Sequence, residues 1–324
     1  MTFLRIQNPA DFPETLKGGV VAIGNFDGVH RGHQAVLSQA VNLAKANSVP
    51  ATVLTFEPHP RTFFKPDTPV FRLTDAPTKA SLLEALGFDC VVEHEFNLDF
   101  SGTPAGDFVE NVLIDQFAVS HVVTGYDFHF GKGREGSPQF LMQAGEEHGF
   151  SATIVTAFSD EGGGVVSSSR IRECLAEGDF AEANGLLGYT YRVSGEVIKG
   201  QQLGRTLGYP TANISLPAEA NLAHGIYAVR ARLEDGSLHN GVASYGRRPT
   251  FDNGKALLET FIFDFSGDLY GQQITIYLDS WLRGEEKFDS AEALVEQMDR
   301  DSEEAKSFLA TLGPEQGIWP VVHG

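Results

Sequence analysis

The sequence predicts an α/β chain of two domains: a doubly wound parallel-sheet domain, then a small antiparallel β-barrel with a closing helix. Three observations carry this expectation. The chain has 324 residues, enough for two hydrophobic cores at roughly 150 residues per domain. From residue 19 to about 187, short apolar runs alternate with longer amphipathic stretches, the pattern of βαβ units. Beyond Tyr189 the texture changes to β-rich runs broken by Gly, Asp, Asn and Pro turns. The expected domains are therefore 1–187 and 188–324.

In the first domain, strands are expected at Val20 to Ile23, Thr52 to Phe56, Cys90 to Val92, His121 to Thr124 and Ala152 to Val155. Each is an apolar run of the length of a buried strand. Helices fall between them, near residues 34–46, 77–86, 104–117 and 138–148. In the second domain, strands are expected at Tyr191 to Ile198, Ile226 to Leu233, Leu257 to Phe263 and Gln273 to Leu278. That pattern alone fits a barrel or a sandwich, and the barrel is the expectation taken forward. Ala291, Leu294, Val295 and Met298, then Ala305, Phe308, Leu309 and Leu312, recur near helical spacing among acidic residues and predict the closing helix. No repeat of 20–50 residues and no low-complexity linker interrupts the chain.

Composition narrows the function. Lys and Arg total 24 against 43 Asp and Glu, a formal charge of −19, and both halves are acidic. Such a surface repels polyanions, so no nucleic-acid partner is expected, and an anionic substrate must meet local cations or a metal ion. Only Cys90 and Cys174 occur, without a CxxC neighbour, which supports neither a zinc cage nor a disulfide framework. Glycine, at 35 residues, is about 11% of the chain, against roughly 7% in average proteins. No basic segment followed by a long apolar run opens the sequence, and no run approaches the roughly 18 apolar residues that cross a bilayer. The expectation is a cytoplasmic, soluble protein with no membrane partner. The sequence assigns no oligomeric state.

Strand Val20 to Ile23 runs directly into Gly24-Asn25-Phe26-Asp27-Gly28-Val29-His30-Arg31-Gly32-His33, where a helix begins. A turn of this kind aims backbone N–H groups and the positive helix end at one point, ready for an anion. His30 and His33 flank Gly32, whose missing side chain lets a phosphate chain approach both imidazoles. Two donors on that chain can stabilise the charge that builds during attack at phosphorus. Half a metal site is the competing reading, but no third ligand of zinc-like spacing accompanies the pair.

In the second half, Gly195, Lys199-Gly200, Gly204-Arg205 and Gly208 precede Tyr209-Pro210-Thr211-Ala212-Asn213. This is not a Walker A loop, yet a glycine-rich flap with Lys199 and Arg205 can cradle phosphates. Thr211 and Asn213 alternate along one strand, so a hydroxyl and an amide oxygen share a face suited to Mg²⁺.

With these residues in view, a resemblance becomes specific. GNFDGVHRGH resembles the HxGH signature of the nucleotidylyltransferase superfamily, in the version of the bacterial bifunctional riboflavin kinase/FAD synthetases. Thr55-Phe56-Glu57-Pro58-His59-Pro60, Gly125-Tyr126-Asp127-Phe128-His129-Phe130-Gly131-Lys132-Gly133 and Ser167-Ser168-Ser169-Arg170-Ile171-Arg172 follow in the family's order. The second half is similar to a riboflavin kinase domain through Gly204 to Asn213, Gly246-Arg247-Arg248-Pro249-Thr250-Phe251, Leu258-Glu259-Thr260-Phe261 and Asp268-Leu269-Tyr270-Gly271.

The resemblance implies ATP-dependent phosphorylation of riboflavin to FMN, then adenylylation of FMN by ATP to FAD and pyrophosphate, with Mg²⁺ serving both steps. It implies that His30 and His33 orient the ATP phosphates, and that Ser167, Ser168 and Arg172 hold the leaving pyrophosphate. Gly24, Phe26, Asp27 and Gly32 join the nucleotide contacts, and Asp127 falls where the family meets nucleotide or flavin. Phe56, Phe128 and Phe130 suit an isoalloxazine ring or ordinary core packing; Glu57 and His59 are pocket candidates. Glu259 is implied as the base for the ribityl 5′-hydroxyl, Thr211 and Asn213 as Mg²⁺ ligands, and Lys199, Gly204 and Arg205 as phosphate contacts. Four positions depart from the family pattern: Ser244-Tyr245 where Asn-Ile is common, Arg247 where threonine is, and Phe261 where a histidine is. Two other readings remain: a transferase with another nucleotidyl acceptor, and a non-catalytic flavin-binding protein.

Overall fold

The computed structural model describes residues 2–200, 204, 207–247 and 256–319. Contacts divide the chain into two compact units, one running to Ser168 and one comprising Ser169–Trp319.

The first unit is built on a six-stranded, all-parallel sheet in the order β1-β4-β3-β2-β5-β6. Its strands are β1 (Leu4–Ile6), β2 (Val20–Ile23), β3 (Ala51–Glu57), β4 (Cys90–Glu95), β5 (His121–Gly125) and β6 (Ser151–Val155). All four residues of β2 and the first six of β3 are buried. Covering both faces with helices demands such continuous apolar strands. The helices are α1 (Arg31–Asn47), α2 (Pro60–Phe64), α3 (Ala76–Ala85), α4 (Leu98–Ser101), α5 (Ala105–Phe108) and α6 (Pro138–His148). The single helix expected over 104–117 is α5 continued by wider π-type turns through Val109–Gln116. From β2 the chain steps to β3 on one side and later to β5 on the other, so the strand order reverses beside β2. In doubly wound sheets the carboxyl ends of strands flanking such a reversal form the ligand crevice.

The second unit opens with α7 (Ser168–Glu177, whose first residue closes the first unit) and α8 (Phe180–Leu187). It continues through β7 (Arg192–Glu196), β8 (Thr211–Ser215), β9 (Gly225–Arg232), β10 (Leu238–Arg247), β11 (Ala256–Ile262), β12 (Gln273–Arg283) and α9 (Ala291–Leu309). The sheet is antiparallel throughout, in the order β7-β12-β9-β10-β11-β8. A bridge between Ile198 and Asn213 brings the segment after β7 back to β8, so the barrel is nearly closed. Residues of β11 alternate strictly between buried and half-buried, as a strand with one face on the core requires. α9 lays Ala305 and Leu309 against Ala228, Val242 and Phe263.

The contact-based division falls at Ser168/Ser169. Ala223 N donates to Leu175 O at 2.9 Å, and Asn184 Nδ2 donates to Leu278 O at 3.2 Å, which ties α7 and α8 to the barrel.

Candidate functional site

In the first unit, the segment after β2 turns sharply to reach α1. Gly28 stands at φ 86°, and Phe26 and Val29 at 47° and 38°, a left-handed backbone that costs non-glycine residues about 1–3 kcal/mol. Dense packing maintains it: Phe26 and Val29 are buried, and Val29 N donates to Phe26 O at 3.1 Å. The Asp27 carboxylate, 3% exposed, accepts the amides of Leu73 at 3.0 Å and Thr74 at 3.2 Å. Gly28 N donates to Thr74 Oγ1 at 3.0 Å.

His30 is the N-cap of α1, its Nδ1 accepting His33 N at 3.2 Å. The two imidazoles are stacked, 3.6 Å between centroids, and Phe26 meets His33 edge-on at 5.4 Å. A Cβ on Gly32 would lie 3.1 Å from the His30 ring and 3.2 Å from Val166 O, so glycine is what admits this arrangement. At Gly24 a Cβ would meet the Phe26 ring at 2.9 Å. Ser168 Oγ donates to Asp27 O at 2.9 Å, which puts the second serine of the Ser-Ser-Ser block against the histidine loop. Ser167 directly precedes α7, and Arg172 lies one turn into it, within the second unit. Asp127 follows β5, beside β2, and is exposed. Arg31 lies over the Phe158 ring at 5.1 Å and forks onto Glu161, which holds the Glu161 carboxyl down at about 2.

Phe56 and Phe130 are core residues, 6% and 7% exposed, while Phe128 stacks on Phe130 at 5.6 Å and is half-buried. Glu57 ends β3 and receives both Arg72 amino groups at 2.7 and 2.8 Å, with Lys79 Nζ at 3.0 Å. Burial pushes this carboxyl up, but Arg72 and Lys79 outweigh it and hold it at about 2. His59 caps α2, accepting Arg61 N at 3.1 Å.

Sequence reasoning gave no role to Thr55, although it opens the block that ends at Pro60, and it missed Arg72, Thr74 and Lys79, which belong to no recognisable motif. A signal existed for Lys79: it precedes Leu82 and Leu83 by three and four residues, on the buried face of α3.

In the second unit, Glu259 of β11 pairs directly with Asn213 of β8 and with Ser244 of β10, so all three share one face. Thr211 Oγ1 lies 3.4 Å from Asn213 Oδ1. A Cβ on Gly200 would come within 2.2 Å of Asn213 Nδ2, so glycine is what lets the backbone at 200 lie against that amide. A Cβ on Gly204 would collide with Tyr209 O. Lys199 Nζ stands over the Tyr270 ring at 5.6 Å. Arg205 lies outside the described residues, as does the block Arg248 to Phe251. Phe261 packs edge-on against Tyr209 at 4.8 Å, which gives that departure a packing role. Among the described residues no three His, Cys, Asp or Glu side chains gather as a metal cage. The hydroxyl and amide oxygens of Thr211 and Asn213 are hard donors of the kind that hold Mg²⁺ together with substrate phosphates and water.

The class that this fold and these two clusters define is a two-domain enzyme of nucleotide phosphate transfer. A family described as FAD synthetase matches residues 12–170, and one described as riboflavin kinase matches residues 187–309. The chain belongs to the bifunctional riboflavin kinase/FMN adenylyltransferase family. Relatives of that name include the Haemophilus influenzae protein, 40% identical over 91% of this chain and 95% of its own. The Pseudomonas fluorescens protein is 42% identical over 91% and 94%, and the Escherichia coli protein 37% over 95% and 98%. A Streptococcus pneumoniae crystal structure described as a macrolide-efflux protein has a TM-score of 0.82 at 30% identity, covering 94% of this chain and 99% of its own. Among the described residues no helix is long and apolar enough to cross a membrane.

Proposed function

We propose that the two activities of this riboflavin kinase and FMN adenylyltransferase are divided along the chain, adenylyl transfer within residues 1–187 and phosphorylation within 188–324. The observation that carries the reading is the stacked His30–His33 pair at the start of α1, beside the strand-order reversal.

For adenylyl transfer, the α1 N-terminus and the imidazoles of His30 and His33 hold the ATP phosphates. A phosphate oxygen of FMN attacks the α-phosphorus in line, the bond to the β-phosphate breaks, and pyrophosphate leaves. FMN arrives already ionised, so this step needs no strong base; it needs positioning and charge stabilisation. Ser167, Ser168 and Arg172 receive the pyrophosphate, with Gly24, Phe26, Asp27 and Gly32 shaping the loop around the nucleotide and Asp127 beside it.

For phosphorylation, Glu259 takes the proton from the riboflavin 5′-hydroxyl as its oxygen attacks the γ-phosphorus, giving FMN and ADP. Thr211 Oγ1 and Asn213 Oδ1 hold Mg²⁺, and Lys199, Gly204 and Arg205 cradle the phosphates. When bound, Mg²⁺ neutralises phosphate charge that a chain of net −19 does not offset by itself. The substrates are small molecules, ATP as co-substrate supports a cytoplasmic enzyme, and the net charge of −19 argues against a nucleic-acid partner.

The test is a time course of the purified chain with riboflavin, ATP and Mg²⁺, resolving the three flavins by chromatography. Transient FMN followed by FAD supports both steps. FAD formed only from supplied FMN leaves the barrel as a binding module, and no product from folded protein overturns the reading.

A further inference from the structure

Lys79 carries an ammonium group whose side chain is 1% exposed. Burial lowers its pKa, Glu57 works in the opposite direction, and its pKa stays below the ordinary value. Its Nζ donates to Thr55 Oγ1 at 2.9 Å, Glu57 Oε1 at 3.0 Å and Asn25 O at 3.2 Å. Those three acceptors use every donor an ammonium has. Thr55 Oγ1 also lies 3.1 Å from Asn25 O, so one carbonyl of the histidine loop is gripped by two side chains. Glu57 is in turn fixed by Arg72, whose Nε lies 3.6 Å from Asp27 Oδ1. Alternate residues of the loop, Asn25 and Asp27, are therefore tied to one charged cluster on β3, α3 and the segment between them.

A buried ion pair is weak evidence of stability, because an apolar side chain of similar volume commonly does as well. What the cluster supplies is geometry. Phe26 and Val29 hold left-handed backbone angles that persist only where surrounding contacts over-determine them. We propose that Lys79 is a positioning residue for adenylyl transfer, fixing the Asn25 carbonyl and through it the loop that presents His30. This rests on the reading of His30 as a ligand of the ATP phosphates.

Lys79→Met keeps the length of the side chain, removes the charge and leaves Glu57 paired with Arg72. The kcat for FAD formation from FMN should fall roughly ten- to a hundredfold with the KM for ATP within about threefold, as expected for misplacement without lost binding. FMN formation in the same preparation normalises for protein amount, and a circular-dichroism spectrum and urea transition of the first unit matching the parent chain establish that the unit carrying Lys79 is folded. Thr55→Val, nearly isosteric, should lower kcat in the same direction by about threefold or more, and carries the test if Lys79→Met does not fold. Added to His30→Ala, Lys79→Met should cost less than about twofold further, because the task it serves is already lost. Unchanged kcat in the single variants, or a full further loss in the His30→Ala background, overturns the proposal. Undiminished FAD formation by His30→Ala alone would instead remove the underlying reading of the loop.

Discussion

The imidazoles of His30 and His33 lie 3.6 Å apart and 17° from parallel, while Nδ1 of His30 accepts the amide of His33. An Nδ1 that accepts carries no proton, so the neutral ring has its hydrogen on Nε2 and is a donor there. One side chain thereby caps a helix and, in the function proposed, offers its Nε2–H to a phosphate.

The two tasks are separable. Asparagine is among the best N-caps, so His30→Asn should keep α1 and lose only the ring. FAD formation from FMN should fall by roughly 10²–10³, the usual cost of one donor to developing charge. Circular dichroism and the thermal transition should match the parent chain; retained FAD synthesis would mean that the ring is only a cap.

Gly32→Ala probes the same pair without touching either histidine. The new Cβ would press on the His30 ring at 3.1 Å and on Val166 O at 3.2 Å, so one of them must move by a few tenths of an ångström. A ring displaced at the reacting centre should cost about tenfold or more in kcat for FAD formation. Steady-state kinetics with FMN supplied decides it, and a wild-type kcat would mean that the segment ending at Val166 gives way instead.

Most of the first unit was legible because buried parallel strands are continuous apolar runs, and β2 and β3 read that way. β1 was missed because three residues show no period. β10, Leu238–Arg247, was missed because Asn240, Gly241, Ser244 and Gly246 break the alternation that marks a strand. β12 runs five residues past the expected end because register shifts at Leu278/Ser280 and Trp281/Arg283 erase the period there. In the candidate sites, motif residues were visible as strings. Lys79 and Arg72 were not, because their partners come from distant segments: Lys79 and Asn25 are 54 positions apart.

In the barrel, the directly opposed Glu259 and Asn213 predict a second separation of function. Glu259→Gln keeps size and hydrogen bonding but cannot take a proton. FMN formation should drop by roughly 10²–10⁴, with the KM for riboflavin little changed. FAD formation from supplied FMN should continue, since Glu259 belongs to the second unit and the histidine loop to the first. Equal loss of both reactions in a folded variant would mean that the two sites are not separate.

Glu57 gives the first unit an acid-sensitive contact whose direction follows from its carboxyl being held at about 2 instead of the ordinary 4.5. Burial opposes ionisation there, and Arg72 and Lys79 more than offset it. The folded state therefore releases this proton more readily than the unfolded chain. Its stabilisation is complete above the unfolded value and drains away as the pH falls from about 4.5 toward 2. Burial lowers the Arg72 pKa but Glu57 and Asp27 more than offset it, so Arg72 stays protonated across that window. Between pH 5 and pH 3, linkage assigns Glu57 a loss of about 2 kcal/mol. Urea unfolding should show it as an acid-dependent shift of one transition, reduced by that amount in Glu57→Gln. That variant should already be weaker at pH 7, because it leaves Lys79 buried with one charged partner fewer. Identical acid sensitivity in the two proteins would mean that the carboxylate is not held as the Arg72 and Lys79 contacts require.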